Sequence, residues 1–240
     1  MGRKAVILDY RTSIEIINKL QSLGLDTILS CPCENLPWQV NGHPDLMYHK
    51  ISKELGCIAL NCFGHFIKEF TQHRKILRNR IFIKGESAFG SQYPEDIHYN
   101  VLRMGNFAFG KLSAIDNRLR AVLLKQGVEF VEVNQGYAKC SVAVTSKTSA
   151  ITSDKGIARE LEIRGMRVLL LEPGGIDLPG YEYGFIGGAS GLIENKFFLT
   201  GRFLDEDINK KVESFVMENG SEMIYLSEGK IIDIGSILEV

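Results

Sequence analysis

The sequence carries no excess of either charge. Its 28 Lys and Arg stand against 29 Asp and Glu, a formal net charge of −1 over 240 residues. Without a basic field to neutralise phosphates, nucleic acid is not an expected partner. Nor does any apolar run reach membrane-spanning length, and the apolar part of MGRKAVILDYRTS is too short for a secretory signal peptide. A cytoplasmic protein with no membrane partner is expected. Paired cysteines are lacking too. Cys31, Cys33, Cys57, Cys62 and Cys140 are odd in number with no export signal, which argues against a disulfide framework and for free thiols. Cys31-Pro-Cys33, followed by His43 and His49, lacks the wider spacing and second close pair of a structural zinc site. No metal and no cofactor are expected.

What is present is a repeated pattern. A 45% hydrophobic composition suffices for a substantial core. Thr12-Ser13-Ile14-Glu15 reads as a capping box opening an amphipathic run, Ile14, Ile17 and Leu20, which stops at Gly24 before the strand DTILSC. Helix, stop and strand return four times. Cys62 to Asn79 precedes RIFIK; Asp116 caps NRLRAVLLKQ ahead of Gly127 and VEFVEV; Ser153 or Asp154 caps GIARELEIR ahead of Gly165 and RVLLLE; Asp205 opens EDINKKVESFVMEN ahead of Gly220 and SEMIYLS.

Two short apolar segments precede each helix as a hairpin: DLMYHKI with GCIALN, NVLRMG with FAFGKL, KCSVAV with SAITS, and FIGGASGLI with KFFLTG. The fifth pair is divided, with KIIDIGSILEV at the C-terminus and KAVILDY at the N-terminus. If those segments pair, five ββαβ units of about 48 residues close into a ring without an edge strand. The expectation is one domain over 1–240. A doubly wound α/β sheet is the rival, but strict βαβ alternation would not put two strands before each helix.

Cys140 lies in QGYAKCSVAV, where Ala138, Cys140, Val142 and Val144 share a face under strand alternation. On that pattern alone, the thiol reads as a small core side chain. The wider plan changes the weighing. Five ββαβ units resemble the pentein fold, or five-bladed α/β propeller, of the guanidino-group-modifying enzymes: deiminases, dimethylarginine dimethylaminohydrolase and amidinotransferases. Gly42-His43-Pro44-Asp45 resembles their His-x-Asp motif. Asn100-Val101-Leu102-Arg103-Met104-Gly105-Asn106 resembles their non-catalytic unit, and Tyr137-Ala138-Lys139-Cys140-Ser141-Val142 the segment with the nucleophilic cysteine. The order of the three units matches, with the chain ends circularly shifted.

The resemblance implies a cysteine-dependent hydrolase or transferase acting on a C–N bond of a small amidine-, guanidine- or amide-like substrate. Cys140 would be nucleophile, His43 general acid and base, and Asp233, in Ile232-Asp233-Ile234-Gly235, the acid of the last unit. Asp45, Asn100, Arg103, Gly187 and Gly188 are the implied substrate-binding residues. The sequence departs from the family at Phe185-Ile186-Gly187-Gly188-Ala189-Ser190-Gly191, where many members place the aspartate that grips a guanidinium. That departure turns the expectation away from arginine. The alternative is a non-catalytic pentein module that docks on a partner protein or on the ribosome.

Ordinary readings accompany these assignments. His43 and Asp45 flank a proline, as polar residues of a surface turn do. Lys139 points away from Cys140 in a regular strand. Tyr48 and His49 could share the central hole with Arg103, and His98 is a second candidate histidine. The glycines of GFIGGASG suit either an anion-approaching backbone or close packing. GGIDLPGYEYG reads as a long loop able to cover a pocket.

Overall fold

The computed structural model describes residues 4–240; the first three residues of the MGRKAVILDYRTS stretch lie outside them. Five three-stranded sheets carry the fold. The first joins β1 (Lys4–Leu8), α1 (Ile14–Ser22) and β2 (Leu25–Leu29) to β15 (Leu238–Glu239). In the second, a single turn α2 (Pro44–Met47) leads into β3 (Tyr48–Lys50) and β4 (Leu55–Ile58); α3 (Phe63–Gln72) and α4 (Arg74–Leu77) then lead to β5 (Ile81–Lys84). The third holds β6 (Leu102–Met104), β7 (Phe107–Gly110), α5 (Asn117–Lys125) and β8 (Glu129–Glu132). The fourth holds β9 (Val142–Ser146), β10 (Ser149–Thr152), α6 (Lys155–Ile163) and β11 (Arg167–Leu170). The fifth holds β12 (Ser190–Ile193), β13 (Lys196–Leu199), α7 (Glu206–Glu218) and β14 (Glu222–Tyr225).

Every sheet obeys one rule. The middle strand runs antiparallel to the first and, across a helix, parallel to the last. In the divided unit, Val6 faces Glu239 and Ile7 faces Leu238, so the two ends of the chain complete one sheet.

Local chemistry sets the helix limits. Side chains of Ser13, Asp116, Asp154 and Asp205 accept backbone N–H bonds at four N-termini, satisfying donors the helix leaves free. Gly24, Gly127, Gly165 and Gly220 follow the same helices with φ between +73° and +84°, the left-handed stop that a side chain resists. Ser13, not Thr12, is the first cap: its Oγ accepts from Ile16 N, whereas Thr12 Oγ1 is buried without a partner among the described residues. The helix expected from Cys62 to Asn79 divides at His73, whose backbone leaves the helical region (ψ +17°) and whose ring bonds the Glu69 carbonyl. The C-terminal strand is also shorter than its apolar pattern. Gly235 and Ser236 have positive φ, so only Leu238 and Glu239 reach extended pairing.

Hydrogen bonds near the inner ends of the first strands link neighbouring units into a ring. Asn100 Nδ2 donates to Asp45 O, Cys140 N to Asn100 Oδ1, Gly188 N to Cys140 O, Ser236 N to Gly188 O, and Asp45 N to Gly235 O. Each unit thereby touches the next, and the fifth returns to the first.

Candidate active site

His43 and Asp45 stand at the start of α2. Pro44 occupies the first helical turn, where its missing N–H costs nothing. Neither residue belongs to a surface turn: His43 is 2% exposed and Asp45 1%. Gly235 makes that placement possible, because a Cβ there would lie 2.3 Å from His43 Cβ.

Cys140 does not lie in a strand. It lies within the turn over 138–141 that precedes β9, where Ser141 N bonds Tyr137 O and Val142 N bonds Lys139 O. The alternation read from its neighbours therefore does not decide its direction. Its Sγ donates to Asp45 Oδ2 at 3.1 Å and accepts from Asn100 Nδ2 at 3.0 Å. Asn100 Oδ1 also receives Lys139 N at 2.8 Å and Cys140 N at 3.3 Å. This amide has its four bonds within the protein, so it orients the thiol rather than facing a cavity.

A network continues behind the sulfur. Ser236 Oγ bonds Asp45 Oδ2 at 2.6 Å, and Lys139 Nζ reaches Ser236 Oγ at 2.9 Å. The turn thus gives Lys139 a role that strand geometry would have denied it. Ser236 holds φ +77°, uncommon for a residue with a side chain, which places its hydroxyl between lysine and carboxylate. Burial, the charges of Asp45 and Asp233, and the bond to Asp45 push the Cys140 thiol well above its ordinary pKa, against the pull of Lys139. The resting sulfur is a protonated thiol.

Asp233 accepts Phe185 N at 2.8 Å and Gly235 N at 2.9 Å. Burial raises its pKa, with Asp45 adding to the shift and His43 opposing it. His43 lies between carboxylates: Nδ1 is 3.8 Å from Asp233 Oδ1 and Nε2 is 4.0 Å from Asp9 Oδ2. Asp9 is itself clamped by Arg11, at 2.9 Å from Nε and 2.6 Å from Nη2.

Cys140, His43 and Asp233 line one cavity of about 290 Å³. Val40, Leu46 and Tyr137 form part of its wall; the rest comes from Leu178, Tyr181, Glu182, Tyr183 and Phe185, on and just after the loop GGIDLPGYEYG. That loop covers the pocket as its length and punctuation suggested. It also brings Glu182, a carboxylate absent from the GFIGGASG segment. Sequence reasoning missed Glu182, Asp9, Ser236 and Tyr137. Only Ser236 had a local signal, being next to a glycine in a chain-terminal strand that the left-handed turn interrupts.

The remaining expected residues lie apart from the cavity lining. Gly187 and Gly188 are packed glycines: a Cβ on the first would lie 2.4 Å from the Lys139 and Val142 carbonyl oxygens, and on the second 2.0 Å from Asp233 Oδ1. The Gly188 N–H is spent on Cys140 O. Arg103, Tyr48 and His49 line a second cavity on the other side of Asp45, and His98 bonds Ala114 O. All five cysteines are free thiols. Among the described residues, no His, Cys, Asp and Glu group is arranged to hold a metal, and no helix is long and apolar enough to cross a membrane.

Residues 7–238 match the model of one protein family, "Family of unknown function (DUF6873)". The chain belongs to that family. No curated protein matches the sequence. Solved structures resemble this DUF6873 chain throughout its length. DDAH from Pseudomonas aeruginosa, a cysteine-to-serine mutant complexed with citrulline, superposes with a TM-score of 0.57 at 11% identity, covering 94% of this chain and 92% of that one. Agmatine deiminase from C. jejuni gives 0.53 at 8% identity, covering 94% and 87%. An amidinotransferase of the saxitoxin pathway from Microseira wollei gives 0.52 at 10%, covering 93% and 88%. The DUF6873 chain has the pentein fold.

Proposed function

We propose that this DUF6873 protein is a cysteine-dependent hydrolase or transferase acting on a C–N bond of a small cationic amidine or guanidine. The observation that carries this reading is the convergence of Cys140, His43 and Asp233, from three units, on one cavity. Its size suits a small molecule. Carboxylates at Asp233 and Glu182 favour a planar cation through charge-assisted hydrogen bonds, and Tyr137, Tyr181 and Tyr183 add aromatic rings to the lining.

The raised thiol pKa bears on how attack begins. A cation entering the cavity offsets the negative charge that keeps Cys140 protonated. As the sulfur bonds to the amidine carbon, its proton passes to Asp45, already hydrogen-bonded to it. His43 gives a proton to the departing nitrogen and the C–N bond breaks. Water then adds to the carbon and loses a proton to His43. The S–C bond breaks, and sulfur recovers its proton from Asp45. Asp233 and Asp9 flank the His43 ring, at 3.8 Å from Nδ1 and 4.0 Å from Nε2. In a transferase, an amine takes the place of that water.

The test is covalent labelling with a haloacetamidine, mapped by mass spectrometry. Cys140 is expected to react selectively, at a rate exceeding its reaction with neutral iodoacetamide, and a cationic guanidine should protect it. Even labelling of the five thiols, or no preference for the cationic reagent, would reject the enzyme and leave a binding module.

A further inference from the structure

The second cavity, about 110 Å³, is walled by Asp45, His49, Lys50, Tyr99, Arg103 and Lys139 among others. It holds a set of buried polar atoms without partners. Arg103 Nε and Nη1 lack acceptors; His49 Nε2 and Asp45 Oδ1 are also unbonded among the described residues. His49 is 5% exposed and Asp45 1%. Burial, followed by the nearby Arg103 charge, pushes the His49 pKa down to about 3, and the ring bonds the Tyr99 backbone. His49 is therefore neutral at physiological pH, with Nε2 as an acceptor.

The charge balance is uneven. Lys50 is paired with Glu239 at 2.6 Å. Lys139 bonds only neutral oxygens, Ser236 Oγ and Gly187 O, and burial alone lowers the Arg103 pKa. Unmatched polar groups and cations of this kind are costly inside a protein. A simple anion would satisfy Arg103 but leave the two acceptors empty and face Asp45. An anion that bears a proton answers three of these four atoms: its charged oxygens accept from Arg103 Nε and Nη1, and its hydroxyl donates to either His49 or Asp45.

We propose that this cavity is a binding site for one small oxyanion that carries a hydroxyl, of the hydrogen-phosphate or bicarbonate type. The site is separate from the Cys140 cavity and goes beyond the catalytic reading. Asp45 lines this cavity and meets the other through Oδ2 on Cys140, while its Oδ1 has no partner among the described residues.

Calorimetric titration with inorganic phosphate, and with bicarbonate in a parallel arm, tests it against chloride at matched ionic strength. At least one oxyanion should bind wild type and Cys140→Ala with one-to-one saturation, and Arg103→Met should weaken it at least tenfold. Thermal unfolding supplies the control for folding. In oxyanion-free buffer, Arg103→Met should melt no lower than wild type because it removes a half-buried charge whose Nε and Nη1 are sealed without acceptors; the anion should raise the wild-type Tm and leave that of the variant unchanged. His49→Asn should weaken binding while remaining folded. No saturable binding of either anion, or undiminished binding by Arg103→Met, overturns the proposal. So does binding lost in Cys140→Ala but retained in Arg103→Met, which would put the anion beside the thiol.

Discussion

The two cavities on either side of Asp45 differ in the sign of their linings. The first gathers Asp233 and Glu182 with aromatic rings around Cys140; the second gathers Lys50, Arg103 and Lys139 around a neutral histidine. One carboxylate serves both, bonding the thiol through Oδ2 while Oδ1 remains unbonded. This contrast shows how a propeller core can keep opposite charges in adjoining cavities. Residues in and just ahead of the first strands contribute to both sets, and a single step along a turn decides which cavity a side chain enters. Cys140 and Lys139 are the clearest case.

Several substitutions would break or sharpen the contrast, beginning with the strongest. His43→Asn should lower turnover of an amidine substrate by about 10²–10⁴-fold, the usual contribution of general acid–base catalysis, while leaving phosphate binding intact. Steady-state kinetics beside calorimetry would read both. Gly235→Ala should destabilise the fold by about 2–4 kcal/mol in denaturant titration, because its Cβ would meet His43 Cβ at 2.3 Å and the residue has φ +65°. A variant as stable as wild type would mean that the α2 turn yields easily.

Asp45→Asn provides a pH test. Asp45 is among the causes that raise the Cys140 pKa, after burial, so removing its charge should shift the thiol downward. Alkylation by neutral iodoacetamide should then rise at a lower pH than in wild type, even as amidine turnover falls. An unchanged pH profile would show that burial and Asp233 set the thiol without Asp45. The smallest effect is expected from Ser236→Ala, about 1 kcal/mol of stability for the lost hydrogen bonds to Asp45 and the Gly187 carbonyl. Its labelling rate should also change, since the variant separates Lys139 from Asp45.

Helix limits were legible from short patterns because a cap or a stop acts within a turn. Asp116, Asp154 and Asp205 cap the helices expected of them, and four glycines end helices in the left-handed conformation. The division at His73 was not legible, since no proline or glycine marks it. Around the site, the identities of Cys140, His43 and Asp233 came from motif resemblance. Strand alternation gave the wrong local conformation for Cys140, because three apolar neighbours at period two also fit a turn entering β9. Glu182 and Asp9 carried no pattern; each lies close to the site through contacts remote in sequence.

By itself, the sequence determined the five repeated units, the limits of the helices that carry a cap and a glycine stop, and the pairing of the two chain ends. These follow from propensity, capping and periodicity, which act over a few residues. Tertiary structure alone decided which polar side chains share a cavity, which are sealed behind it, and that the thiol rests protonated. Those outcomes depend on burial and on charges brought within a few ångströms by closure of the ring, and no local pattern encodes them.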